Sequence, residues 1–286
     1  MTVDEFIDLA LKEDLQDPKM VIPYGDHTSR ATVKSGTTQK ARALIKQNGV
    51  LAGIALAKQI FQKIDPNLNF QESGFQDGDK VNDGDEVFYL EGSSKSMLTG
   101  ERLALNFMQR MSGIATLSRE YVNAVDGTGV KILDTRKTTP NLRYFEKWAV
   151  KIGGAENHRF GLYDMIMIKD NHVDFAGGIE KAIDAANNYL EAQNFTVPIE
   201  IETRSFEDVQ RVINHGGVQR IMLDNFTVNQ AFDAIDFIAK RVETEISGGI
   251  NLNTIRAYAE AQPDFISVGA LTHSYTSLDI SLKAML

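Results

Sequence analysis

The side chains able to do chemistry gather in short strings in the second half of the chain. Arg136-Lys137, His158-Arg159 and Lys169 bring positive charge, Glu200, Glu202 and Asp224 negative charge, and Ser247-Gly248-Gly249 and Gly269 bare backbone. The five basic residues form a set able to hold carboxylates or phosphates through charge-assisted, often bidentate hydrogen bonds. A merely solvated surface would scatter such cations over helix faces instead of collecting them at the ends of strands. Glu202 and Asp224 are hard oxygen ligands of the kind that bind Mg²⁺ together with substrate phosphates. In IEIET (199–203) strand alternation puts Glu200 and Glu202 on one face, where an unpaired buried carboxylate is costly. Structural pairing of either with a nearby Arg or Lys is the competing role. The glycines of SGGI (247–250) and SVGAL (267–271) let backbone N–H groups approach a phosphate, and a following helix N-terminus would add its dipole. The expected ligand has a phosphate at one end, anionic groups at the other and a divalent metal between them.

Other chemistries are poorly served. The chain has no cysteine, which excludes disulfides and thiolate metal sites and fits a reducing cytoplasm. It contains no HExxH string and no Ser-His-Asp set evident by spacing. Group transfer by positioning and electrostatics is therefore expected over covalent catalysis.

These strings need strand ends to hold them, and the chain supplies a strand-then-helix rhythm from residue 130 onward. Strands are predicted at KILDTR (131–136), MIMIKD (165–170), VPIEIET (197–203), RIMLDN (220–225), TEISGG (244–249) and FISVGAL (265–271), with amphipathic stretches after all but the last. Six such units imply an all-parallel sheet. No Gly-rich dinucleotide fingerprint follows the first strand, so a closed or nearly closed barrel is preferred to a Rossmann sheet, and six strands fall short of a full eight-stranded one. Active sites of such barrels lie where strands end and βα loops begin, which is where the charged strings fall. Residues 1–125 read differently, as helices mixed with short strands. The turns Asp77-Gly78-Asp79 and Asp83-Gly84-Asp85 lack EF-hand ligand spacing and are read as hairpin turns. The first helix is expected to turn Phe6, Leu9, Ala10 and Leu15 to one face, and a long helix to run from about Glu101 to Ala124 between domains. The fold class is α/β, with a mixed helix-and-strand first domain, a parallel α/β barrel after it and the tail packing back on the first domain.

A length of 286 residues with 43% hydrophobic and 24% charged residues fits a globular chain with room for two domains. No apolar run approaches the ~18 residues a membrane span needs, and the acidic, amphipathic start does not read as a signal peptide. A net charge of −9 argues against nucleic acid or an anionic membrane as partner. It leaves room for a small anionic substrate, because salt confines surface charge effects to roughly 8 Å.

The strings GERLALNFMQRMSGIAT, DTRKTTPNLR, KxxxxxGGAENHRFGLYD (from Lys147), MIKDNH, EIET, IMLDNF, EISGGI and SVGALTHS, with GDHTS at 25–29, together resemble the quinolinate phosphoribosyltransferase family, in order over about residues 20–275. The resemblance implies an N-terminal α/β sandwich (1–110, joined by the tail at about 275–286), a C-terminal open, incomplete parallel α/β barrel (111–274), and an obligate homodimer that joins quinolinate to phosphoribosyl pyrophosphate with Mg²⁺, releasing pyrophosphate and carbon dioxide and leaving nicotinate mononucleotide. By motif it places Arg136, Lys137, His158, Arg159 and Lys169 on quinolinate- and pyrophosphate-binding positions, with Lys137 also catalytic. It makes Glu202 and Asp224 the catalytic ribose and metal pair, and Ser247, Gly248, Gly249 and Gly269 the phosphate loops. Arg102 matches an arginine contributed from the neighbouring subunit, so the site is shared. Two stretches depart from the family pattern, QDPKMVIPY before GDHTS and HGGVQR at 215–220. The second bears on the choice between Glu200 and Glu202, of which Glu202 is favoured. Relatives tied to molybdenum transport share some of these motifs, and the intact double-basic DTRK and NHR strings favour quinolinate. The competing readings are a sugar-phosphate isomerase or aldolase, with Lys169 as Schiff-base lysine, and a phosphate-metabolite sensor without turnover.

Overall fold

A computed structural model describes residues 2–16, 19 and 21–285. The chain divides into two compact units, Met1–Thr116 with Thr276–Leu286, and Leu117–Tyr275. The division thus falls at Thr116, a little beyond residue 110. The departure QDPKMVIPY includes residues 17, 18 and 20, which lie outside the described residues.

In the first unit, helix α1 (Val3–Leu15) starts at a capping box in which Thr2 and Glu5 bond each other's backbone. Its buried residues are Ile7 and Leu11, and Leu9 is exposed, so the expected apolar face was set one residue out of register. Helix α2 (His27–Thr32) is capped by Asp26. Strand β1 (Thr38–Ile45) follows, then the short β2 (Gly49–Val50) and helix α3 (Ile54–Ile64). Strands β3 (Asn69–Glu72), β4 (Lys80–Val81) and β5 (Glu86–Ser93) lead into helix α4 (Ser94–Ala124). That helix begins two turns before Glu101. By spacing Leu103, Leu105, Phe107, Met108, Met111, Ile114 and Leu117 are expected on its apolar side; the first six are buried and Leu117 is half-buried. The acidic triplets are turns: Asp79 and Asp85 accept backbone N–H bonds from Gln76 and Asn82, at 2.9 and 2.8 Å.

The second unit is the parallel sheet. Its strands are β6 (Lys131–Leu133), β7 (Ile166–Ile168), β8 (Ile199–Thr203), β9 (Arg220–Asp224), β10 (Glu243–Ser247) and β11 (Phe265–Ser267). The helices between them are α5 (Arg143–Ile152), α6 (Asp170–Ala176), α7 (Ile179–Gln193), α8 (Phe206–His215), α9 (Val228–Ile238) and α10 (Ile255–Ala259), and α11 (Ala270–His273) follows the last strand. The strands line up as β6-β11-β10-β9-β8-β7, so the first lies beside the last and β6 and β7 form the open seam. Beyond β6 the chain at Glu156 runs parallel to Leu133 as an isolated bridge, which lays the 156–159 string against the end of β6. All but β8, which ends at Thr203 as predicted, are shorter than predicted at their C-terminal ends, where the polar strings leave the sheet as loops.

The tail forms strand β12 (Ile280–Met285), which pairs antiparallel with β1 and completes the first unit's sheet, β12-β1-β5-β3. No helix among the described residues is long and apolar enough to cross a membrane.

Candidate active site

The ends of the six parallel strands surround a cavity of about 630 Å³. Ten of the expected site residues line it: Arg136, Lys137, His158, Arg159, Lys169, Glu202, Asp224, Ser247, Gly248 and Gly249. Gly269 stands just outside, where an added Cβ would lie 3.0 Å from the Lys137 side chain. Arg102 belongs to the first unit, is exposed on α4, and forms no ion pair among the described residues.

The basic wall comes from two loops. After β6 the chain turns through Thr135, whose Oγ1 accepts the Lys137 amide at 3.0 Å, and Thr272 donates to the Lys137 carbonyl at 2.9 Å. Arg136 keeps a buried Nε with no acceptor, a donor left for a ligand. Arg159 donates to the Met165 carbonyl at 3.2 Å. Its guanidinium is pushed down from its usual range, first by burial and then by the like charge of Arg136. Such a wall gains from an anion between its members.

Lys169 pairs directly with Glu202, bridging the expected basic and acidic groups. Asp224, at the end of β9, is held by the Asn225 side-chain amide at 2.8 Å. Opposite, Gly248 adopts φ 96° and sits so close to Asn225 that an added Cβ would lie 2.3 Å from its Oδ1. Only glycine fits there. The helices after the last two strands are short: α10 begins eight residues beyond Ser247, and α11 has four residues. The expected helix dipole therefore contributes little, which leaves the backbone N–H groups of the Ser247–Gly249 turn as the donors at this rim.

Beneath the opening lies a buried charged layer. His158 Nε2 is 2.9 Å from Glu200 and 3.3 Å from Glu245, off the line of a hydrogen bond to either. Arg220 reaches Glu245 at 3.1 Å and packs over the Phe265 ring. Burial alone would push the imidazole down, but Glu200 and Glu245 outweigh it and hold it at about 9. Burial, with Glu245 beside it, raises Glu200 to about 7. The Arg159 amide donates to Nδ1 at 2.6 Å, which favours an unprotonated Nδ1. The extra proton therefore belongs to the imidazole–carboxylate group as a whole. Ligand atoms of His158, Glu200 and Glu245 lie within 4.8 Å of one another, a spacing a cation could use. Arg220 already supplies positive charge there, and the layer balances without one.

Glu200 and Glu202 share the inner face of β8 and differ in depth: Glu202 lines the cavity, and Glu200 is fully buried below it. His158 differs from expectation. Its Nδ1 takes the Arg159 amide and its Nε2 faces the buried Glu200 and Glu245, so the imidazole floors the cavity with Nε2 turned to the carboxylates below. The sequence reading missed Thr135, Met167, Met222, Asn225, Glu245 and Ser267 in the lining. Met167, Met222 and Glu245 stand two residues before Lys169, Asp224 and Ser247. The same alternation that paired Glu200 with Glu202 would have found all three.

A two-unit chain with its charged cavity at the C-terminal ends of a parallel barrel and a glycine cradle at the late strands defines a phosphate-binding α/β-barrel protein. Comparison with known proteins narrows the class. Residues 26–112 match the N-terminal domain model of quinolinate phosphoribosyl transferase, and residues 114–283 its C-terminal domain model. The chain is 44% identical to quinolinate phosphoribosyltransferase [decarboxylating] 1b of Nicotiana tabacum, covering 97% of this chain and 81% of that protein. It is 40% identical to the probable nicotinate-nucleotide pyrophosphorylase [carboxylating] of Bacillus subtilis, covering 93% and 90%. The crystal structure of NadC from Streptococcus pyogenes superposes with a TM-score of 0.91 at 40% identity, covering 99% of this chain and 97% of that one. The chain belongs to the quinolinate phosphoribosyltransferase family.

Proposed function

We propose that this protein transfers the phosphoribosyl group of phosphoribosyl pyrophosphate to quinolinate with decarboxylation, giving nicotinate mononucleotide, pyrophosphate and carbon dioxide for NAD biosynthesis. The observation that carries the reading is the joining, in one cavity, of a cationic wall with an unspent Arg136 donor, two carboxylates and a glycine cradle. The wall suits the two carboxylates of quinolinate, and the Ser247–Gly249 turn suits the 5′-phosphate. The apolar faces of Met167 and Met222 suit a flat ring lying between them.

As the bond from the ribosyl carbon to pyrophosphate breaks, the electron pair leaves with pyrophosphate and positive charge builds on the ribosyl ring. Glu202 and Asp224 offset that charge, and Lys137, whose side chain pairs with no carboxylate among the described residues, meets the departing phosphates. The pyridine nitrogen donates its pair to the ribosyl carbon and becomes cationic. The carbon–carboxylate bond beside it then breaks, its electrons drawn towards the cationic ring, and a proton replaces carbon dioxide. Mg²⁺ bound by Glu202, Asp224 and the pyrophosphate oxygens would neutralise the leaving group. Two carboxylates completed by substrate phosphates suit that ion.

The active form is read as a homodimer in which Arg102 of one subunit completes the partner's cavity. Its exposed, unpaired guanidinium supports this, as do the exposed apolar side chains of Leu162 and Tyr163, each 72% exposed on the loop after the basic string. A cytoplasmic location is consistent with the absence of cysteine. The aldolase reading loses ground because Lys169 sits on a carboxylate instead of in a desolvated pocket. Incubation with quinolinate, phosphoribosyl pyrophosphate and Mg²⁺ should release carbon dioxide in step with nicotinate mononucleotide. Binding of both substrates without release would leave a sensor, not an enzyme.

A further inference from the structure

One buried group in the barrel unit is unused by the reaction just described. Asp134 follows β6, is fully buried, and accepts three bonds: from the Lys147 ammonium, from Asn157 Nδ2 at 2.6 Å and from the His158 amide at 2.8 Å. Lys147 comes from α5, is also buried, and donates to the His158 carbonyl at 3.0 Å. Asn157 adds a bond to the Lys147 carbonyl at 2.9 Å. Both backbone polar atoms of His158 are thus gripped by one ion pair.

That grip has a mechanical purpose. Arg136 lies two residues after Asp134, and Arg159 one residue after His158. The two guanidinium groups are near enough for Arg136 to depress Arg159. Without ligand, like charges push the two loops apart. An ion pair inside low-dielectric protein, with its remaining atoms bonded to backbone, resists that push better than a solvated one. We propose that Asp134, Lys147 and Asn157 are positioning residues that lock the Arg136–Lys137 loop to the His158–Arg159 loop at the separation a dicarboxylate spans. The inference rests on the functional reading above, and it makes the clamp a determinant of quinolinate affinity, with no contact to the substrate.

The test uses the full-length protein with both substrates and Mg²⁺. Asn157→Ala removes two of the clamp's bonds at a residue exposed on one side, while Lys147 and the His158 amide still satisfy Asp134. The expected result is a rise of roughly tenfold in KM and in the calorimetric Kd for quinolinate, the effect of one or two lost hydrogen bonds. KM for phosphoribosyl pyrophosphate should rise at least threefold less than that for quinolinate, as only Lys137 of its partners lies on a clamped loop and the others lie on other strands. Asn157→Asp sets a second carboxylate against Asp134 and should be worse. Adding Asp134→Asn should recover part of the loss, because the amide and carboxylate have exchanged places. A folded Asn157→Ala protein with unchanged quinolinate affinity overturns the proposal. So does an equal rise in both KM values, which marks a general structural defect. Wild-type protein that neither binds nor turns over quinolinate would instead bring down the functional reading, and the inference with it.

Discussion

Raising the pH through the buried layer under the cavity should destabilise the protein. Folding raises the imidazole of His158 from an ordinary 6.5 to about 9, and the Glu200 carboxyl from 4.5 to about 7. Both shifts mean that the folded state holds protons the unfolded state has released. Their stabilising contribution is complete below the unfolded values and is lost as pH climbs through the folded ones. The sign is the same for both, so stability falls with pH. For His158 the window is 6.5 to about 9, and the shift corresponds to about 3 kcal/mol at 1.36 kcal/mol per unit. Denaturant unfolding at half-unit steps from pH 6.5 to 9.5 should show that decline as a falling midpoint at constant slope. Glu245→Gln removes one of the two carboxylates that hold the proton and should flatten the curve. The difference between variant and wild type isolates the layer from other titrations. Stability that stays level or rises across the window, or a Glu245→Gln curve parallel to wild type, would refute the shared-proton account.

Nicotinate, with one carboxylate, should be used far less well than quinolinate, since each charged bond left unmade costs about 1.5–3 kcal/mol; comparable kcat/KM for the two acids would contradict the cationic wall. Asp224→Ala should weaken phosphoribosyl pyrophosphate binding in the presence of Mg²⁺ well beyond any loss for quinolinate, as calorimetry with each ligand separately can determine. Gly248→Ala should lower affinity for phosphoribosyl pyrophosphate by roughly tenfold or more, because the new Cβ forces Asn225 away at a strained positive φ; unchanged affinity would remove the turn from the phosphate site. Inactive Arg102→Ala and Lys137→Ala proteins, mixed under subunit exchange, should regain activity towards half per mixed dimer, each such dimer carrying one intact site. Proven exchange without recovery would return Arg102 to its own subunit or remove it from the site.

The barrel was legible because its strands are short runs rich in Ile, Leu and Met that alternate with amphipathic helices, most of them ending in polar residues. The loops of a parallel sheet all emerge on one side, so charged strings scattered over a hundred positions of sequence meet in one cavity. Less of the layer below was legible. Glu245 reads as one acidic residue in TEIS, and its partnership with His158 depends on β10 lying two strands from β6, against whose end the 156–159 string is laid. Spacing along the chain does not encode that order. Lys147 was visible only as the first letter of a motif, since a lysine in an amphipathic helix ordinarily faces water. The misplaced face of α1 has a plainer cause. Leu9 and Ile7 are equally apolar, and the helix period alone does not say which of two adjacent stripes finds a neighbour.

The pairing of β12 with β1 sets an order of events for a chain leaving the ribosome. Thr38–Ile45 meets its partner only when Ile280–Met285 has been made, and the whole barrel unit lies between them. At about 5–20 residues per second, β1 waits on the order of 10–50 s with one flank uncovered. The barrel's own strands are complete by Ser267, so it can fold during that wait. Its folding also shortens the loop that β12 must close, because 159 residues from Leu117 to Tyr275 become one compact body. The first unit is thus early in sequence and late in assembly, and its exposed strand edge is the stretch that co-translational chaperones have most reason to cover.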